Sequence, residues 1–169
     1  NSAREGLRIL ENMGVLESQQ GAGNYVSGNF DEILAEMLSF MFILKKIDVD
    51  KITEFRSTLE WGAIETGVKQ ATEEQRQKMM SYLDNLERAE TEEERVRWDK
   101  AIHYLLIEAG GNLCMIANYK ALNKIMDEYI PKMRGKIIEG MHSEQFLSRA
   151  HRTLAEGFAE GNIEKAREG

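Results

Sequence analysis

Only one proline, Pro131, interrupts this chain, so long helices are permitted almost everywhere along it. From residue 30 onward apolar residues recur at helical spacing, and Thr91 followed by Glu94 has the spacing of a capping box. Thr72 and Ser143 also precede helical patterns as candidate caps. The pattern predicts helices at about 30–46, 49–71, 73–89, 92–109, 113–141 (with a kink or a restart near Pro131) and 144–160, and a short last helix after residue 162.

The first 28 residues follow a different pattern. Leu7 and Leu10 share one face of a predicted helix at about 3–13, which Gly14 ends. Two short predicted strands then flank a glycine-rich segment and form a hairpin. We therefore expect a mainly α fold: an antiparallel bundle of about six to seven helices, preceded by one helix and a β-hairpin.

The segment at 27–29 is the expected linker, which gives predicted domains at 1–28 and 29–169. The chain starts within a predicted helix and stops soon after another begins, so both ends look cut.

The composition excludes several classes of protein. With a formal net charge of −7 the chain does not attract phosphate backbones through its overall field, so a nucleic-acid role needs a local patch. Cys114 is the only cysteine, which excludes an intrachain disulfide and favours a reducing compartment, the cytoplasm. Apolar runs stay well short of the roughly 18 residues of a membrane span, so no membrane partner is expected.

Three residues that commonly bind metals lie on apolar faces of predicted helices. Asp99 and His103 are four residues apart and therefore stack on one face, and His151 points inward from a later helix. A carboxylate and two imidazoles facing a shared core can hold a divalent metal. On spacing alone, a hydrogen-bonded Asp–His pair and a core histidine with a satisfied partner remain open as the alternative.

Arg56 lies on an apolar helix face, where a guanidinium needs an anion. That anion is either Glu60, one turn further along, in a bridge at the surface edge, or the carboxylate of a bound small acid. Arg134 is a weaker candidate of the same type.

The first bundle helix is apolar on nearly all sides between residues 37 and 44. Such a helix is either buried or part of an interface. Dimerisation, docking against the N-terminal segment, and complete burial within one bundle all remain open at this stage.

Two parts of the chain together resemble the GntR family of bacterial transcription regulators. The N-terminal helix and hairpin are similar to the end of its winged helix-turn-helix, in the segments SAREGLRILE (2–11), GVLE (14–17) and QGAGNYV (20–26). The remainder resembles the FadR-type C-terminal sensor domain, in the segments EFR (54–56), DKAIH (99–103) with GN (111–112), and AHR (150–152).

The resemblance implies a dimeric, effector-responsive regulator that binds operator DNA. A divalent metal, Zn²⁺ in first place and Ni²⁺ or Mn²⁺ as alternatives, would be held by Asp99, His103 and His151, and a fourth ligand is expected beyond residue 169. The same likeness gives two further sets of residues. A small carboxylate effector would contact Arg56, Arg134 and Asn112, and DNA would be contacted by Ser2, Arg4, Arg8, Gly21 and Gly23.

Two other functions remain open. A metal-dependent enzyme acting on a small acid would need an inward general base, for which Glu60 and Glu108 are the only candidates and neither is compelling. A metal-free helical interaction module would use the Asp99–His103 pair only as a structural contact.

Overall fold

The computed structural model describes residues 2–28, 30–141 and 144–169. Within these residues nine helices and one two-stranded sheet follow one another along the chain. They are α1 (Ser2–Asn12), β1 (Leu16–Gln19), β2 (Gly23–Val26), α2 (Phe30–Leu44), α3 (Val49–Gln70), α4 (Glu73–Arg88), α5 (Glu92–Ala109), α6 (Leu113–Asn123), α7 (Met126–Met141), α8 (Glu144–Glu160) and α9 (Ile163–Glu168). The predicted fold class, a helical bundle preceded by one helix and a hairpin, is confirmed.

Polar caps fix most of the helix starts. Thr91 and Glu94 form the predicted capping box at the start of α5, and Thr72 forms a second one with Gln75 at the start of α4. Asp48 caps α3 by accepting a hydrogen bond from the backbone of Lys51. The predicted cap Ser143 lies outside the described residues.

The break in the long pattern from 113 to 141 is not at Pro131. The chain turns at Lys124 and Ile125, and Pro131 lies inside α7. The turn allows Ile125 and Met126, at most 6% exposed, to enter the same core cluster as α6. Eight helices therefore follow the hairpin in the described part of the chain, where the sequence suggests six to seven.

The core consists of two apolar clusters. One lies where α2, α3, α5, α6 and α7 meet, and the other where α3, α4, α5, α8 and α9 meet. Helices α3 and α5 contribute to both clusters and cross closely, because Gly67 leaves room for the backbone carbonyl of Leu106. These two helices carry four of the polar residues discussed below.

Helix α2 is not completely buried. Its inner face, with Ala35 and Phe42, packs against the bundle next to α6. The opposite face leaves Phe40, Ile43 and Leu44 between 59% and 78% exposed. Complete burial within this chain, one of the three interpretations of its apolar sequence, is therefore wrong.

The hairpin pairs Leu16 with Val26 and Gln19 with Gly23 in antiparallel register. Gly21 and Gly23 have φ values of 81° and 106°, a region that side chains rarely adopt, so glycine suits the tip. Within the described residues, no helix has both the length and the apolar character needed to cross a bilayer.

Candidate metal and effector site

The three residues predicted as metal ligands meet between α5 and α8. Their ligand atoms all lie within 4.8 Å of one another. Nε2 of His103 is 3.4 Å from Nε2 of His151, and His151 Nε2 is 3.1 Å from Asp99 Oδ2. Two nitrogens bound tetrahedrally to one Zn²⁺ lie about 3.3–3.4 Å apart, from Zn–N distances of about 2.0–2.1 Å. The spacing of these donor atoms therefore fits a divalent metal.

The outer nitrogens of both imidazoles face acceptors. Nδ1 of His151 lies 2.9 Å from the carbonyl oxygen of Leu147, which can only accept, so Nδ1 carries the proton and donates it. Nδ1 of His103 lies 3.0 Å from Glu60 Oε2, although the buried nitrogen is not aligned for a hydrogen bond with it. The carbonyl behind His151 leaves its Nε2 lone pair directed at the shared centre. Glu60 lies behind His103, where metal sites commonly have an outer carboxylate.

Arg56 is tied to the same cluster from α3. Its Nε donates to Glu60 Oε1 at 2.7 Å and its Nη2 donates to Asp99 Oδ1 at 2.9 Å. The intrahelical bridge that sequence analysis left open is therefore present, but it is buried, not at a surface edge. Tyr119, from α6, donates its hydroxyl to Glu60 Oε1 at 2.5 Å and completes the network.

The charges of this network are fixed by their neighbours. Burial alone would raise the pKa of the Asp99 carboxyl, but the positive charge of Arg56 outweighs it and holds that pKa well below its usual range. Burial likewise acts to raise the pKa of Glu60, yet His103 and Arg56 lower it to about 2. Both carboxylates are thus ionised, and with the two imidazoles neutral, as metal binding requires, the guanidinium neutralises only one of them. The cluster retains negative charge that attracts a cation.

A cavity of about 380 Å³ opens beside this cluster. Its polar end is formed by Arg56, Glu60, Asp99, His103 and His151. A cavity of this size with a few converging polar groups is typical of sites for small molecules.

Residues 51–169 match the FCD domain family, which is more than half of the chain. The chain belongs to the FCD-domain branch of the GntR transcription regulators. The HTH-type transcriptional regulator LutR of Bacillus subtilis (strain 168) is 26% identical over 164 residues, covering 96% of this chain and 75% of LutR. The solved structure of Streptococcus agalactiae GntR matches with a TM-score of 0.63 at 24% identity, covering 96% of this chain and 73% of that one. This structural likeness shows a shared fold.

Not every residue assigned to the effector lies at the cavity of this FCD domain. Arg134 lines it and is 9% exposed, with its Nε 3.1 Å from Glu92 Oε1. Asn112 does not line it. Its side-chain oxygen instead caps α6 by accepting from the backbone N–H groups of Cys114 and Met115. The Asn112 oxygen is thus engaged in the cap of α6.

The residues assigned to DNA lie on the N-terminal elements. Ser2, Arg4 and Arg8 are exposed on α1, and Gly21 and Gly23 lie at the hairpin tip. Arg4 and Arg8 are one helical turn apart and therefore share a face.

Sequence reasoning gave too little weight to two members of the site. Glu60 entered it only as a partner of Arg56 and as a weak candidate base, yet it also lies behind His103. Tyr119, 1% exposed, has the sequence pattern of an ordinary core aromatic. A buried tyrosine hydroxyl needs a hydrogen-bond partner, and this requirement was the only signal that could have placed Tyr119 in the site. Glu108 is exposed and lines a different groove.

Proposed function

We propose that this chain senses a carboxylate effector in the cavity between α3, α5, α7 and α8 and thereby controls DNA binding by residues 1–28. Asp99, His103 and His151 would hold a divalent metal, Zn²⁺ in first place. When bound, the metal would supply positive charge that attracts the oxygens of an acid. The observation that carries the proposal is the convergence of two Nε2 atoms and one carboxylate at distances suited to metal binding.

Charge supports the same proposal. The cluster has a surplus carboxylate, so a divalent cation would convert its net charge from negative to positive. A carboxylate effector would then neutralise the cavity, and the metal and the acid would each favour binding of the other.

Arg56 supplies a donor suited to that acid. Its Nε and Nη2 are engaged by Glu60, Tyr119 and Asp99, whereas the contacts within the described residues leave Nη1 without a partner. Because Arg56 lines the cavity, Nη1 can donate to an effector carboxylate without breaking the buried ion pairs.

The DNA-binding part would consist of α1 and the hairpin, joined to the sensing domain that begins at residue 29. Arg4 and Arg8 would contact phosphate or base edges from one face of α1. Effector binding would act by changing the relative placement of two such units in a homodimer.

An enzymatic role is less well supported. Glu60 is the cavity carboxylate closest to the role of a general base, but a pKa of about 2 makes it a weak proton acceptor at neutral pH. It also accepts hydrogen bonds from Arg56 and Tyr119, which fix it in place. These contacts suit the role of orienting His103.

The proposal is tested by measuring acetate binding with and without metal. We expect acetate to raise the melting temperature of the Zn²⁺-loaded chain, and to have much less effect after treatment with a chelator. Arg56→Gln should also reduce the effect of acetate. Arg152→Gln is its matched control, because Arg152 is an exposed arginine paired with Glu87. Acetate binding that is independent of both metal and Arg56 would contradict the proposal.

A further inference from the structure

The walls of the cavity divide into two chemically different parts. The polar part consists of the residues around Asp99 and Arg56, from α3, α5 and α8. The remaining walls come mainly from α7 and α8 and are apolar. Their larger apolar side chains are Ile130, Met133, Ile137, Phe146, Leu147 and Leu154.

We propose that the effector is a carboxylic acid with an apolar body, in preference to a dicarboxylate. This inference rests on the proposed function, because it takes the carboxylate end to lie at Arg56 and the metal ligands. It adds the chemistry of the rest of the molecule.

Helix α7 provides a continuous apolar surface for such a body. Ile130, Met133 and Ile137 are three and then four residues apart, so they lie on one face of the helix. Ile130 is 1% exposed and is anchored in the core, whereas Met133 and Ile137 are only half-buried. Methionine is a flexible side chain that can adapt to ligands of different shape.

Helix α8 forms the second apolar wall of the cavity. Leu147 and Leu154 are 8% and 5% exposed and lie one turn before and about one turn after His151. Phe146 lines the same cavity but is 47% exposed. An apolar ligand would cover part of the exposed Phe146 ring, which gives it hydrophobic area to bury.

Arg134 is the charged exception on this side, and its charge is compensated. Its Nε lies 3.1 Å from Glu92, which does not line the cavity. A second carboxylate on the ligand would have to compete with Glu92 for Arg134. Its remaining oxygens would face isoleucine, methionine and leucine, where an unpaired polar group loses the hydrogen bonds it makes with water.

Two hydroxyls remain on the α3 wall, those of Thr53 and Ser57. Thr53 already donates its hydroxyl to the carbonyl oxygen of Val49. Both hydroxyls lie on α3, the helix that carries Arg56 and Glu60. The lining residues of α7 and α8 carry no hydroxyl.

The test is a calorimetric titration of the full Zn²⁺-loaded chain with a matched series of acids. Acetate, butyrate and hexanoate differ only in methylene groups, and adipate differs from hexanoate by a second carboxylate in place of the methyl group. Each buried methylene is expected to strengthen binding about three- to fourfold. We expect hexanoate to bind at least tenfold more tightly than acetate, and adipate to bind at least tenfold more weakly than hexanoate.

A variant links this preference to α7. Met133→Gln nearly preserves the side-chain volume but adds an amide, and it should reduce the affinity ratio of hexanoate to acetate at least threefold. Met37→Gln, a change at a residue of α2 that is 60% exposed, should leave that ratio unchanged.

The outcomes separate the two proposals. If acetate and adipate bind as tightly as hexanoate, the inference about the apolar body is wrong and the proposed function stands. If the chain binds Zn²⁺ and none of the acids, the carboxylate effector itself is wrong and the inference fails with it. The titrations of the unmodified chain with the four acids test the preference for an apolar body even if the Met133 variant does not fold.

Discussion

At the scale of single residues, the site is a buried network in which each charged group has an opposite partner. The spacing of Asp99 and His103 and the apolar neighbours of His151 were enough to predict that these residues point inward. The positions of Glu60 and Tyr119 behind them were not predictable, because they depend on how α3 and α6 pack against α5. Asn112 does not line the cavity but caps α6, and the sequence could not separate these two uses because a cap and an effector contact take the same kind of side chain.

Glu60 should strengthen metal binding through His103. Glu60→Gln removes the negative charge behind Nδ1 and should weaken Zn²⁺ binding by about 10- to 100-fold. A competition titration with a chromophoric chelator measures this affinity. Glu65→Gln is the control on the same helix, since Glu65 pairs with Lys69 at the surface and should leave Zn²⁺ affinity unchanged.

Arg56 should matter most to stability when no metal is present. Arg56→Met leaves Asp99 and Glu60 buried without their cation, which should cost about 3–5 kcal/mol of unfolding free energy. Urea denaturation measures the loss, and added Zn²⁺ should recover part of it. Arg152→Met, at an exposed pair with Glu87, should lower the unfolding free energy far less, because water screens that pair. Equal losses in the two variants would contradict this account of the network.

At the scale of helices and strands, local signals specify where most elements begin. The starts of α4 and α5 were predictable from Thr72 and Thr91 because their caps use residues close in sequence. The turn at Lys124 and Ile125 has no proline or glycine and arises from packing, since it directs the next apolar residues into the core. Pro131, by contrast, is tolerated inside α7.

The crossing of α3 and α5 should depend on a glycine. A Cβ at position 67 would lie 2.5 Å from the carbonyl oxygen of Leu106, so Gly67→Ala should lower stability by about 1–3 kcal/mol. Gly135→Ala in α7 meets nothing within 4 Å and should be neutral or stabilise by up to about 1 kcal/mol. Thermal unfolding followed by circular dichroism compares the two, and an equally stable Gly67→Ala protein would refute the close crossing.

At the scale of the whole molecule, the exposed apolar face of α2 stands out. Phe40 and Leu44 are 63% and 78% exposed on a helix that leads from the N-terminal hairpin into the bundle. The sequence predicted that this helix is either buried or part of an interface, but periodicity alone could not decide, because a helix that is apolar all round has no distinguishable inner face.

In the proposed homodimer, the exposed apolar face of α2 would form part of the contact between the two chains. Phe40→Asp combined with Leu44→Asp should weaken self-association at least tenfold, because it places charges in an apolar contact. Sedimentation velocity over a range of concentrations measures the change. Leu113→Asp, at a residue that is 78% exposed on α6, serves as the control. A monomeric unmodified chain would show that α2 does not support association of this chain.

The most direct test of the account is the metal content of the purified chain after loading with Zn²⁺ and desalting, measured by mass spectrometry of the elements. We predict about one equivalent of Zn²⁺ per chain. His151→Ala should lose most of this metal and keep its helical circular dichroism, because His151 supplies its ligand from a different helix than Asp99 and His103. Equal metal content in the two proteins, or none in either, would contradict the claim that Asp99, His103 and His151 form a metal-binding sensor site.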